Sequence, residues 1–173
     1  MTSRIEAKLL KDVTYEQFKE FLDSLDEERK TWSLDLQGHF KTDKEFYEVK
    51  KEFAAIVCVD GEKVIGLCDY YEHPGSICEV VVEVSFVVKK DYQGQNIGTK
   101  MLLTLEALMK DIKYEYITAK HYKDNIASHK AFLKAGYEEW VIGKKYYCHN
   151  KSAWFNRDKE ENENIEWKIK QIG

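Results

Sequence analysis

The sequence has little of several features that would mark particular classes of protein. Its 173 residues contain 27 Lys and Arg against 31 Asp and Glu, and the basic residues form no cluster that would favour nucleic-acid binding. No apolar run approaches the roughly 20 residues of a membrane span, and the N-terminal segment lacks an uninterrupted apolar core. We therefore expect a soluble cytoplasmic protein that binds neither nucleic acid nor a membrane.

Cysteine is also scarce and is not arranged for metal binding. The four cysteines include no C-x2-C pair, and three of them fall in predicted strands, as reduced buried cysteines usually do. This usage indicates a reducing compartment and predicts no metal site. With 43% hydrophobic residues and no room for a second full domain, residues 1–173 are expected to form one domain.

The most informative stretch runs from residue 80 to residue 109. Residues 80–88 are nearly all β-branched or aromatic, which predicts a central strand buried on much of both faces. From Gly98 onward an apolar stripe at helical spacing predicts a helix packed on a sheet. The stripe consists of Met101, Leu102, Leu105, Leu108, Met109 and Ile112.

Residues 93–98 connect this strand to this helix. Gly94, Gly98 and Asn96 tolerate positive φ at little cost, so successive backbone N–H groups can converge at the start of the helix. Such a concavity binds phosphate. The spacing fits neither G-x4-G-K-[ST] nor G-x-G-x-x-G, so neither common nucleotide motif is present.

Two motifs together resemble the GNAT superfamily of acyl-CoA-dependent N-acyltransferases. Gln93, Gly94 and Gly98 match its cofactor loop, Q/R-G-x-G-x-G/A, with Asn96 replacing the middle glycine. Further along, the run from Asn125 to Tyr137 is similar to a later motif of that superfamily, N-x-x-[AS]-x3-[YL]-x-K-x-G-[FY]. A turn before one helix and a glycine after another would explain either motif alone, but not both in this order.

Periodicity predicts the element order β-α-α-β-β-β-α-β-α-β-β, which is also what the resemblance implies. The implied fold class is α/β (α+β by some schemes), a mixed and mostly antiparallel sheet of about seven strands with helices on both faces. Strands four and five are expected to be parallel and splayed. The predicted strands are 4–10, 54–59, 64–71, 77–88, 116–121, 139–149 and 166–171, the last two as a closing pair, and the helices are 12–25, 42–53, one from 98 and 125–135.

The resemblance implies acetyl-CoA as co-substrate, with its pyrophosphate on the loop, its pantetheine arm along the end of strand four and no metal. The thioester would lie near residues 83–86 and the start of the helix at Asn125. The implied cofactor-binding residues are Phe86, Val87, Val88, Gln93, Gly94, Gln95, Asn96, Ile97, Gly98, Thr99, Asn125, Ser128 and Phe132.

The implied reaction is direct attack of an amine on the thioester, which needs a base for the ammonium proton. Glu83 and His121 are the candidate catalytic residues. Glu83 reaches the cleft only if a bulge reverses its side of the strand; otherwise it faces solvent. Phe132 occupies the position of a tyrosine that often serves as general acid in this family, so no acid is identified there.

The acceptor stays open among small molecules, polyamines and protein N-termini, all carrying a primary amine. Aromatic residues could hold such an amine by cation–π contact. An alternative function is an acyl-CoA-binding module with little or no catalysis, favoured by Phe132 and by the apolar Val82 and Val84. The final strands could pair between subunits, which would give a homodimer. The aromatic candidates are Trp32, Tyr70, Tyr71, Tyr146, Tyr147 and Trp154.

Overall fold

The structure is a computed structural model that describes residues 4–25, 40–53, 55–72, 81–110, 112–141, 143–148, 153–156 and 164–173. The helices in these ranges are α1 (Tyr15–Asp23), α2 (Asp43–Lys50), α3 (Ile97–Met109) and α4 (Ile126–Lys134). The strands are β1 (Ile5–Leu9), β2 (Ile56–Asp60), β3 (Lys63–Glu72), β4 (Val81–Val88), β5 (Tyr116–Tyr122), β6 (Glu138–Glu139), β7 (Lys145–Cys148), β8 (Ala153–Asn156) and β9 (Ile165–Gln171).

The main sheet has seven strands in the order β1-β2-β3-β4-β5-β9-β6, and β7 and β8 form a separate two-stranded sheet. The β1–β2, β2–β3, β5–β9 and β6–β9 pairs are antiparallel, and β4–β5 is parallel. The parallel ladder ends at the pair Glu83↔Thr118, although β4 continues to Val88 and β5 to Tyr122. The predicted fold class is confirmed.

Contacts divide the chain into two compact units. The first unit comprises Met1–Asp69 and Ser85–Leu105, and the second comprises Tyr70–Val84 and Glu106–Gly173. Strands β3 and β4 and helix α3 each contribute to both. The boundary between the units passes through these elements and does not follow a linker. The single domain over residues 1–173 stays a prediction.

Aromatic side chains pack α1 against α2 in the first unit. Thr14 caps α1 in a capping box with Gln17, as predicted. Phe18 of α1 stacks on Phe46 of α2, with ring centroids 5.8 Å apart. The Tyr47 hydroxyl donates to the Val13 carbonyl at 2.6 Å, which satisfies a polar atom inside this core.

A tight hairpin joins β2 to β3 in the same unit. Gly61 has φ 62°, so the predicted Asp60-Gly61 turn takes the left-handed conformation that glycine allows. The register shifts between Cys58 and Val59, which marks a bulge. Both Cys58 and Cys68 are buried free thiols, as the sequence predicts.

The second unit carries an unusual charged row on β9. His121 is paired with Glu166, and two residues further along Ala119 is paired with Lys168. Because strand residues alternate in direction, Glu166, Lys168 and Lys170 share one face of β9. Lys168 is fully buried, so this face departs from the apolar pattern expected beneath a helix. The opposite face packs Ile169 in a cluster with Val81, Tyr116 and Trp140.

Several predicted details are wrong. Residues 139–149 and 166–171 do not pair with each other over their length, because β9 pairs with β5 and β6, while β7 pairs with β8. The second capping box is incomplete: Thr42 accepts from the Glu45 N–H, but the Glu45 carboxylate turns to the Lys41 N–H. Four predicted inward residues are exposed because each lies in or beyond the last turn of its helix or off its buried face: Val49, Phe53, Leu108 and Ile112.

Residues 26–39, with Trp32, lie outside the described part of the chain, as do residues 73–80, with Pro74 and Cys78. Within the part that is described, no helix is both long and apolar enough to cross a membrane.

Candidate functional site

The stretch that leads from β4 into the first turn of α3, residues 93–98 and hereafter the glycine loop, belongs to the first unit. Gly94 has φ 77° and Asn96 has φ 60°, so two of its residues take the left-handed conformation. Asn96 therefore does what the family's middle glycine would do, because Asn tolerates this region better than other side chains. Residues 93–96 are exposed and precede the N-terminus of a 13-residue helix. This loop presents backbone N–H groups at a helix end, the arrangement that binds phosphate.

Side-chain contacts within the first unit fix both ends of the glycine loop. The Gln93 amide donates to the Val88 carbonyl at 3.2 Å, tying the loop to the last residue of β4. The Tyr92 hydroxyl donates to Asp60 Oδ2 at 2.9 Å, and Lys100 Nζ donates to the Ile5 carbonyl at 2.9 Å. These contacts anchor the loop to β1, β2 and β4.

Gly98 has a packing role as well. A Cβ at this position would lie 2.7 Å from Cε2 of Phe86, which is closer than any side chain tolerates. The Phe86 ring thus fills the space that the glycine leaves, and α3 approaches β4 closely. Any larger residue at this position would force the Phe86 ring to shift within the unit.

A buried polar network in the first unit was not predicted. Lys50 Nζ of α2 lies 2.9 Å from Asp69 Oδ2 of β3, and Ser85 Oγ of β4 donates to Asp69 Oδ1 at 2.8 Å. Lys50 and Asp69 are both buried. The sequence carries no signal for this pair, because a Lys in a helix and an Asp in a strand are most often exposed.

In the second unit, Asn125 and Ser128 form a closed pair at the start of α4. Asn125 Oδ1 accepts from the Ser128 N–H at 3.0 Å, and Asn125 Nδ2 donates to Ser128 Oγ at 2.8 Å. Asn125 is thus the N-cap of α4, and Ser128 is the third residue of the helix. Because Ser128 Oγ accepts that bond, its own O–H can be donated to another group.

Phe132 lies in an aromatic cluster under α4. Its ring stacks on the His121 imidazole at 5.9 Å and meets Tyr137 edge-on at 5.2 Å. Phe132 is 2% exposed. Phe132 is therefore a core residue whose ring packs along one side of the His121 imidazole.

His121 is held in one tautomer. Its Nδ1 lies 2.8 Å from the Tyr122 carbonyl, so Nδ1 carries the hydrogen and Nε2 keeps its lone pair. Burial lowers the pKa of His121 below its ordinary value, outweighing the Tyr122 hydrogen bond. The side chain is 2% exposed, and Nε2 has no hydrogen-bond partner among the described residues. Its near neighbour is Glu166 Oε2, at 3.5 Å.

Glu166 gathers three basic side chains. Its Oε2 lies 3.2 Å from His129 Nδ1, and 3.3 Å from Lys168 Nζ. Burial alone would raise the pKa of Glu166, yet the hydrogen bond and charge of Lys168, with the neighbouring histidines, bring it below its ordinary value. Nδ1 or Nε2 of His121 and His129 and an oxygen of Glu166 lie within 4.8 Å of one another.

Glu83 is buried, so the expectation that it faces solvent in the absence of a bulge is wrong. The side chain is 2% exposed, with Lys120 Nζ of β5 at 3.5 Å from Oε1. The adjacent Val82 and Val84 are buried too, since a strand in the middle of the sheet is covered on both faces. Glu83 ends the parallel ladder with Thr118, whose hydroxyl donates to the Val82 carbonyl.

The predicted site residues therefore fall into two groups, each within one unit. The first unit holds the end of β4 and the glycine loop with Thr99; the second unit holds Asn125, Ser128 and Phe132 with Glu83 and His121. Of the aromatic candidates, Tyr70 contacts Tyr114 and Tyr146 contacts Trp140. Trp32 and the side chains of Tyr147 and Trp154 lie outside the described part.

Comparison with solved structures gives the same fold for three acetyltransferase-related chains. An acetyltransferase of the GNAT family from Streptococcus pneumoniae is 16% identical with a TM-score of 0.69, covering 98% of this chain and 99% of that one. Ribosomal-protein-S5-alanine acetyltransferase from Vibrio fischeri is 16% identical with a TM-score of 0.67, covering 99% and 95%. The protein yncA of Salmonella typhimurium, solved with its cofactor acetyl-CoA, is 15% identical with a TM-score of 0.62, covering 100% and 95%.

No curated protein matches this chain in sequence. The sheet order, the parallel β4–β5 pair and the glycine loop define the acetyltransferase class of fold, and a family model described as "Acetyltransferase (GNAT) family" matches residues 15–137. The chain belongs to the GNAT acetyltransferase family.

Proposed function

We propose that the chain is an N-acetyltransferase that transfers the acetyl group of acetyl-CoA to a primary amine by direct attack. The observation that carries this proposal is the glycine loop. Its exposed residues precede α3, and two of them, Gly94 and Asn96, have left-handed backbone conformations. A phosphate bound there needs no metal, because N–H groups and the helix dipole supply the positive field. The complex of yncA with acetyl-CoA, a protein of the same fold, supports acetyl-CoA as the co-substrate.

In the proposed reaction the amine nitrogen attacks the thioester carbon, the C–N bond forms and the C–S bond breaks. The ammonium proton passes to a base, and the thiolate of CoA leaves with the electron pair. A thiol with a pKa of about 8.5 leaves as its anion without an acid, so Phe132 does not prevent turnover. Small amines, polyamines and protein N-termini all stay candidates for the acceptor.

We assign the base to Glu83 in preference to His121. Glu83 lies where the parallel β4–β5 ladder ends, and the resemblance puts the thioester near residues 83–86. His121 Nε2 instead faces Glu166, beside Lys168, on the face of the sheet that α4 covers. A carboxylate in an ion pair with Lys120 can take a proton directly or through one water.

Glu83→Gln tests the base. Loss of general base catalysis should lower kcat by about 10²- to 10⁴-fold, while acetyl-CoA affinity stays unchanged because the amide keeps the shape of the side chain. Glu106→Gln is the matched control, since Glu106 is also buried and paired with a lysine, Lys170, at 2.6 Å. It should lose stability and keep kcat. Equal kcat losses in the two variants would remove Glu83 from the mechanism.

The binding-module alternative is separated by two measurements on one preparation. Calorimetric titration with acetyl-CoA establishes binding, and thiol release is then followed with a panel of polyamines, amino sugars and short peptides. Binding with thiol release on one class of amine supports the transferase and names its acceptor. Binding without release on any amine would favour the module that binds acyl-CoA without catalysis.

A further inference from the structure

We propose that His121, His129 and Glu166 form a binding site for one divalent transition-metal ion of the zinc class. The three come from β5, α4 and β9 and lie entirely within the second unit. The proposal does not rest on the acetyltransferase reaction, because none of the three has a role in the mechanism above.

The distances fit a four-coordinate ion. Bonds of about 2.0–2.1 Å in tetrahedral geometry put ligand atoms roughly 3.3 Å apart. Glu166 Oε2 lies 3.5 Å from His121 Nε2 and 3.2 Å from His129 Nδ1. One ligand atom from each of the three residues lies within 4.8 Å of the other two, so small side-chain adjustments close the triangle.

His121 already has the orientation of a metal-bound histidine. Its Nδ1–H donates to the Tyr122 carbonyl, the Phe132 ring holds its plane, and the buried Nε2 points into the cluster. Donation of the second ring N–H to a carbonyl is the arrangement that fixes metal-binding histidines. Among the described residues Nε2 has no hydrogen bond that a metal would have to break.

The donor set selects the kind of ion. Two imidazole nitrogens and one carboxylate oxygen suit zinc, copper, nickel or cobalt, whereas magnesium and calcium prefer oxygen ligands throughout. Three protein ligands leave a fourth position for water or another small ligand.

Lys168 sets the strength of this site. Its ammonium lies 3.3 Å from the same Glu166 Oε2, so it competes with the ion for that oxygen. Lys168 Nζ is also 3.7 Å from Glu139 Oε1, which gives the displaced ammonium a second carboxylate. We therefore expect the wild-type protein to bind the ion weakly and a variant without this charge to bind it more tightly.

The test is calorimetric titration of the full chain, carrying no histidine tag, with Zn²⁺, and parallel titration with Co²⁺ followed by visible absorption. One ion per chain and the intense absorption of tetrahedral Co²⁺ are expected, with no response to Mg²⁺. His129→Ala and Glu166→Gln should each weaken binding by about tenfold or more. Lys168→Met should strengthen it by about tenfold, since it removes the competing charge and keeps the length of the side chain.

A variant with His39, His73 and His149 all changed to alanine is the matched control. It should keep the stoichiometry and affinity of the wild type, because the remaining two histidines are the proposed ligands. Loss of metal binding in this triple variant would overturn the site. So would unchanged affinity in folded Glu166→Gln, or weaker binding in folded Lys168→Met.

Discussion

Gly94→Ala should weaken acetyl-CoA binding without disturbing the fold. Gly94 has φ 77°, and a Cβ built on it would meet nothing within 4 Å, so the substitution introduces backbone strain and no clash. Left-handed backbone costs an alanine about 1–2 kcal/mol. An exposed loop can avoid that cost by relaxing when empty, so the strain must be restored on binding.

The expected result is a loss of about 5- to 30-fold in affinity, which is that strain converted into a binding constant. Gly61→Ala provides the matched control, because Gly61 has φ 62° and equally open surroundings but lies in the β2–β3 hairpin. Its affinity for acetyl-CoA should equal that of the wild type. The hairpin ladder prevents relaxation there, so its free energy of unfolding should fall by about 1–2 kcal/mol.

Calorimetric titration with acetyl-CoA and urea unfolding of both variants give the four numbers needed. Wild-type affinity in Gly94→Ala would refute the assignment of the glycine loop to the pyrophosphate. An equal loss of affinity in Gly61→Ala would show that the effect is a general consequence of strain.

Three further predictions concern packing and charge. Lys50→Met should lower the free energy of unfolding, measured in urea, by about 3–5 kcal/mol, because it leaves the Asp69 charge buried without its lysine partner. Adding Asp69→Leu should restore part of that loss. No recovery in the double variant would show that the ion pair is not the cause. Burial holds the pKa of His121 below its ordinary 6.5. Its neutral form therefore contributes stability above about pH 6.5 that is lost as the pH falls through the folded-state pKa. His121→Phe should flatten this pH dependence of the free energy of unfolding, measured in a chelating buffer. Gly98→Ala should destabilise by about 1–3 kcal/mol through its clash with the Phe86 ring; Phe86→Ala should then cost less stability in that background than in the wild type, and equal costs would show that the ring is not the cause.

Local chemistry made much of the fold predictable. The Asp60-Gly61 hairpin, the capping box at Thr14 and the left-handed Asn96 each follow from residues that are neighbours in the chain. The left-handed backbone of the glycine loop was predictable for the same reason, since a short motif encodes that conformation.

What escaped prediction depends on partners that are distant in sequence. Alternation predicts that β9 is a strand, but it does not say that β5 is its neighbour. Lys168 and the Lys50–Asp69 pair look like exposed charges until the fold supplies their partners. Glu83 was misplaced because an acidic residue in an apolar strand suggests a solvent-facing side, whereas this strand is covered on both.

The outer strand β6 limits how copies of this protein can meet. It is only two residues long, Glu138–Glu139, and forms one edge of the main sheet. A second copy pairing antiparallel with this edge would bring the glutamates of one copy opposite those of the other, with almost no ladder to compensate. Continuous sheets across subunits, and fibrils that begin by the same route, are opposed at this edge by charge and by length.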